Sequence, residues 1–157
     1  METACFRRFV LIMCLQKFCK INPQKDIIVY KLLERANEGY GGLVSPFYYF
    51  SWDIGKVYET LYTEPDLVYE YENNSPGRIN GGCFHTFKNL RDARQQLKIH
   101  RNRWTPFTYI AKCRIPKNSN FIYKGMYSAA NPLFVVRENL LKGYASEKLE
   151  ILEILDD

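Results

Sequence analysis

The chain has 157 residues, 46% of them hydrophobic and 25% charged, which suits one globular domain with a real core and excludes a disordered tail. Its 22 basic and 17 acidic residues leave a net charge of +5, which permits weak attraction to anions but excludes a chromatin-like or capsid-arm composition. With 12 Tyr and 10 Phe, the aromatic content favours pleated, half-buried surfaces and so a sheet.

From the N-terminus, Phe6, Phe9, Val10, Met13 and Lys17 recur at i, i+3, i+4, i+7 behind Thr3. This spacing predicts an amphipathic helix over residues 3–20, with a strand as the competing reading. Arg7-Arg8 before the run Phe9–Leu15 resembles the front of a signal peptide. The run is too short to span a bilayer and lacks a small-x-small cleavage pattern, so no transmembrane segment is expected. Asn22-Pro23 ends the element. Residues 1–22 therefore read as an N-terminal helical extension and 23–157 as a single α+β domain.

Ile27–Leu33 is β-branched and apolar, a clear strand. Asn37–Gly42 reverses the chain, and Phe47–Ile54, Val57–Glu59 and Leu67–Tyr71 follow as strands. Asn73–Gly77 consists of turn formers and reads as a loop, as does the glycine-rich Gly77–Gly82. Phe84–Phe87 is a short strand. Asn89 then caps a central helix around residues 90–98, with Asp92 three residues on and Leu90, Ala93 and Leu97 as its buried stripe. Phe107–Ile115 alternates with period two, and Phe121–Tyr123, Leu133–Val136 and Lys148–Leu155 supply the last strands. The expected class is α+β, with a mostly antiparallel sheet of about six or seven strands.

The available chemistry is sparse. Neither G-x-S-x-G nor a phosphate-binding glycine loop is present, and two His with five scattered Cys (Cys5, Cys14, Cys19, Cys83, Cys113) give no zinc spacing. No metal or cofactor is expected, and the thiols suit a reducing, intracellular compartment. Cys83 and His85 share a strand face, which allows a thiolate–imidazole pair; the simpler reading makes Cys83 a core residue and His85 a satisfied polar group at a sheet edge. Glu147, Glu150 and Glu153 read as solvated charges on the last strand. The one charge feature is the basic run Lys88, Arg91, Arg94, Lys98, Arg101 and Arg103 with Trp104, which can grip phosphates with the indole as a stacking platform, or simply solvate a helix face.

Leu43-Val44-Ser45-Pro46, Gly55-Lys56-Val57-Tyr58-Glu59, Gly82-Cys83-Phe84-His85-Thr86-Phe87 with Leu90-Arg91-Asp92-Ala93, and Ala145-Ser146-Glu147-Lys148-Leu149 occur in that order. The pattern resembles a poorly characterised family of small proteins of bacteria, phages and large DNA viruses, over about residues 27–155, with Cys83 as an insertion into the family's G-F-H step. The resemblance implies a viral or phage source and a place in host cytoplasm or virion, and carries no activity. A more distant similarity, to ADP-ribosyltransferase-like domains, implies Arg35, His85-Thr86 and Glu147 as catalytic or NAD-binding candidates, although Phe87 stands where those domains have Ser and their E-x-E step is missing. The leading expectation is a non-enzymatic accessory or structural protein that binds another protein. Its alternatives are a degenerate NAD-binding relative and weak nucleic-acid binding through residues 88–104.

Overall fold

The computed structural model describes residues 15–35, 43–44, 51–69, 76–79, 82–103, 108–128 and 140–155. Their strands are β1 (Leu15–Lys20), β2 (Ile27–Arg35), β3 (Leu43–Val44), β4 (Ser51–Trp52), β5 (Val57–Glu59), β6 (Leu67–Tyr69), β7 (Pro76–Ile79) and β8 (Phe84–Phe87). After helix α1 (Leu90–Arg103) come β9 (Thr108–Ile115), β10 (Ile122–Ser128), β11 (Leu140–Ser146) and β12 (Lys148–Leu155). All strand pairings are antiparallel, in the order β5-β12-β9-β2-β8-β11-β10-β1-β7-β6, with β3 and β4 added beside β2.

The sheet divides at β2–β8. β2 and β9 stay in register over eight residue pairs, from Ile27↔Ile115 to Glu34↔Thr108, whereas β2 meets β8 at one pair, Tyr30↔Phe87. β12 belongs to the half with β9 and β2, and β11 to the half with β8 and β10. Only Glu147 separates them. The chain therefore crosses between the halves in one residue, as a strand does at the corner of two packed sheets.

Two apolar clusters follow from this division. One lies under α1: Ala93 and Leu97 pack with Leu32 and Ile110 from the first half and with Phe87, Tyr127, Leu141, Ala145, Leu15 and Ile79 from the second. The other joins Val29, Leu33, Ala111, Cys113, Ile115, Leu149 and Ile151 of the first half to Ile122 and Tyr144 of the second, with Trp52 and Phe84. Each fully buried Leu, Ile or Phe contributes about 1.5–3 kcal/mol.

The antiparallel α+β architecture, with one helix among the described residues, agrees with expectation; several details do not. Eight described strands have four or more residues and four are shorter, against the six or seven expected. Leu15–Lys20 is a strand rather than part of a helix, hydrogen-bonded between β10 and β7; tertiary pairing overrides the helical spacing there, with Leu15 fully buried and Phe18 edge-on to Tyr123 at 5.6 Å. Residues 1–14, Leu133–Val136 and the catalogue of thiols at Cys5 and Cys14 lie outside the described residues. Pro76 and Gly77 begin β7, proline being tolerated at a strand's first position. β11 was not expected, because Gly143 interrupts its apolar run. Among the described residues no helix is long and apolar enough to cross a membrane.

Candidate functional site

The helix starts as its sequence requires. Asn89 Oδ1 accepts the Asp92 N–H at 2.9 Å, satisfying one of the donors that every helix N-terminus leaves open. Asp92 itself is buried, and its Oδ2 accepts the Lys142 N–H of β11 at 2.9 Å, so the carboxylate bolts the helix start to the sheet. With Ala93, Gln96 and Leu97 turned inward, Arg91, Arg94 and Lys98 fall at i, i+3 and i+7 on the exposed side. Lys88 is exposed just before the cap. The side chains of Arg101 and Arg103, and all of Trp104, lie outside the described residues.

Lys88 does more than open the helix face. It lines a groove of about 230 Å³ with Lys124, Lys142, Cys19, Met126, Tyr144 and the backbone of Gly125 and Gly143. The β10–β11 register explains the convergence: Gly125 faces Gly143, with Lys124↔Tyr144 and Met126↔Lys142 on either side, so the two lysines sit diagonally across a glycine pair. The Lys88 N–H donates to the Lys142 carbonyl at 2.9 Å, which brings a third lysine beside the same groove. Among the described residues no carboxylate lines it. Lys124 and Lys142 were missed in the sequence; the signal was a repeated Lys-Gly step, which reads as turn punctuation until the strands are paired.

Gly143 has a second task. A Cβ there would collide with the Tyr127 ring and with the Thr86 carbonyl oxygen. Tyr127 lies across the glycine, and its hydroxyl donates to the Tyr144 carbonyl at 2.9 Å while standing 3.4 Å from His85 Nδ1. On the other side of the imidazole, Nε2 is 3.5 Å from Cys83 Sγ. His85 is 8% exposed and sits on β8, between β2 and β11, so it is an interior residue rather than one at a sheet edge. The pairing with Cys83 that their spacing allowed is present.

Below this cluster the split between β2 and β8 is bridged by Lys31, whose Nζ donates to the His85 carbonyl at 3.0 Å and lies 5.9 Å from the centre of the Trp52 ring. Burial lowers the Lys31 pKa to about 8, against a smaller upward pull from the Cys113 and Cys83 sulfurs. Burial likewise pushes the Cys113 thiol up to about 12, leaving it protonated and inert.

The glutamates are not solvated as a set. Glu147 is 3% exposed; its carboxylate accepts the Asn120 N–H and the Asn120 side-chain amide, the latter at 2.8 Å, and so holds the β9–β10 turn to the β11–β12 corner. Glu150 is buried and ion-paired with Arg114 across β12–β9, and only Glu153 is exposed, near Lys112 at 3.4 Å. Nor are Arg35 and Glu147 brought together. Glu150 pairs Arg114, which pairs Ile28, so Glu147 lies beyond the Ile27 end of β2 while Arg35 occupies the other end. Eight steps at about 3.3 Å per residue separate those ends by roughly 26 Å.

Comparison with protein-family models, curated proteins and solved structures finds no match to the chain.

Proposed function

We propose that this is a non-enzymatic binding protein that holds the phosphate backbone of a nucleic acid, with the Lys88–Lys124–Lys142 groove as its anchor and the Arg91–Arg94–Lys98 helix face as additional positive surface. The observation that supports this reading is that three lysines, Lys88, Lys124 and Lys142, line one groove with no carboxylate among its described lining residues. Lysines act as point charges toward phosphate, and several arranged along a backbone release counterions on binding. The groove's size argues in the same direction. Pockets that enclose a whole drug-sized ligand run to roughly 300–1,000 Å³, whereas this groove, at about 230 Å³, suits a single group of a longer chain.

Fluorescence anisotropy with single-stranded DNA, duplex DNA and RNA of equal length tests the reading. Affinity should fall steeply with salt, and Lys88→Gln, Lys124→Gln and Lys142→Gln together should flatten the log–log salt slope by about 2 to 3, at ~0.7–0.9 per phosphate contact. A slope that the triple substitution leaves unchanged on all three polymers overturns it.

A second reading, docking of a partner protein in an accessory or structural role, is favoured by one other region. The segment from Ile54 to Tyr62 runs along β12 at one end of the strand order, tied by Gly55 N–H to the Ile151 carbonyl and Thr60 N–H to the Glu147 carbonyl. It exposes Ile54, Val57, Leu61 and Tyr62 within nine residues. Exposed apolar groups gathered at a sheet edge suit addition of a partner's extended strand.

A further inference from the structure

The cluster around His85 has the parts of an activated thiol, and its proton arrangement follows from its hydrogen bonds. Tyr127 Oη spends its proton on the Tyr144 carbonyl, 2.9 Å away. Facing His85 Nδ1 at 3.4 Å it can then only accept, so the imidazole proton belongs on Nδ1. Nε2 is left as an acceptor, and the atom before it, at 3.5 Å, is Cys83 Sγ. A nucleophile just before β8, a base on β8 and a group on β10 that orients the base therefore stand in line, the arrangement that activates nucleophiles in general. Lys31 adds positive charge from β2 through its bond to the His85 carbonyl, and its charge interacts with the Cys83 sulfur.

Access completes the picture. His85 is shielded, which keeps the imidazole in place, whereas Cys83 is only half-buried. The chain also carries its own references: Cys113 is fully buried, and Cys19 is exposed in the lysine-lined groove, an electropositive setting of a different kind. Partly exposed thiols beside a base or in electropositive surroundings are the reactive ones; buried ones are not.

We propose that Cys83 is a nucleophilic thiol, activated by His85 as base and by Tyr127 as positioning residue, and that it is a site of covalent modification by disulfides and soft electrophiles. In the disulfide case the Cys83 proton passes to His85 Nε2 as the sulfur attacks one sulfur of the reagent. A new S–S bond forms, the reagent's S–S bond breaks, and its second sulfur leaves as a thiolate. No external oxidant is needed, because the reagent disulfide is itself reduced by the exchange. The proposal is independent of nucleic-acid binding, since it uses another set of residues.

The test is reaction of the full chain with the aromatic disulfide dithiobis(nitrobenzoate) at pH 7, with modification at each cysteine followed by peptide mass spectrometry. Cys83 should be modified, and Cys113 should stay unmodified. His85→Gln should slow Cys83 at least tenfold without changing Cys19. Tyr127→Phe, which keeps the ring but removes the partner of Nδ1, should slow Cys83 about threefold. Cys113 monitors the fold: where His85→Gln makes Cys113 reactive, that variant has opened and the Tyr127→Phe rate decides. A Cys83 that stays unmodified, or whose rate is indifferent to the deciding substitution, overturns the proposal.

Discussion

β2 has two neighbours and treats them differently. Toward β9 its ladder is complete over eight pairs; toward β8 it closes at Tyr30↔Phe87 alone. Where the ladder is complete, backbone groups satisfy one another and side chains need only be apolar inward and polar outward, as Ala111, Cys113 and Ile115 are against Lys112 and Arg114. Where it opens, carbonyls and N–H groups still require partners, and side chains supply them. Lys31 serves the His85 carbonyl, Asp92 the Lys142 N–H, and Glu147 the Asn120 N–H. Lys31, Asp92 and Glu147 are thus buried charges that partner backbone groups where the half-sheets part, the helix docks or the chain turns, whereas buried Glu150 pairs with the Arg114 side chain inside a ladder.

The largest effect is expected at Gly143, in the β8–β11 ladder beside the opening. Gly143→Ala places a methyl group against the Tyr127 ring and the Thr86 carbonyl, and the second of these is backbone inside a paired strand. Relaxing it means spreading β8 from β11. A loss of about 3 kcal/mol or more is expected, at the upper end of overpacking effects, read as a lower denaturation midpoint or failure to accumulate folded protein. Adding Tyr127→Ala should recover little, because the carbonyl contact remains.

The substitute bonds predict a contrast within one strand segment. Glu147→Ala leaves the Asn120 N–H without its charged acceptor and should cost about 2 kcal/mol. Glu153→Ala removes a half-exposed partner of Lys112 and should stay within about 0.5 kcal/mol. Urea denaturation of the two variants side by side measures the difference; equal losses would mean that the corner does not depend on Glu147.

This division also accounts for what could be read in advance. Ile27–Leu33, Phe107–Ile115, Lys148–Leu155 and the Asn89 cap were visible because period-two alternation and capping chemistry are local. β1 was not, because its helical spacing is real and only the slots beside β10 and β7 decide against it. β11 was hidden by a glycine that serves packing under Tyr127 rather than a turn. The exposed basic face of the helix followed from residue spacing alone. The groove did not, since Lys124 and Lys142 lie 18 positions apart and meet only through the Gly125↔Gly143 register. Likewise the spacing of Glu147, Glu150 and Glu153 carries no hint that the first two are buried, because their partners Asn120 and Arg114 belong to other elements.

The finest test of the comparison is the pH dependence that Lys31 confers. Its folded pKa is about 8 against 10.5 unfolded, so between those values the unfolded chain binds one more proton than the native one, and this group's contribution makes stability rise with pH. Cys113 acts with opposite sign: its folded pKa is about 12 against 9.0, so above pH 9 the native chain holds a proton that the unfolded chain has lost. From pH 8 to 9 the Lys31 contribution dominates, and since the group is half titrated at pH 8 the wild type should gain about 1 kcal/mol relative to Lys31→Met. From 9 to 10.5 the two groups offset each other and the wild type levels off; Cys113→Ala should extend the rise to about pH 10.5. Chemical denaturation at half-unit steps from pH 7 to 10.5 gives these differences directly. If the wild type and Lys31→Met run parallel from pH 8 to 9, Lys31 is not buried across the opening between β2 and β8, and its bond to the His85 carbonyl does not replace a ladder bond.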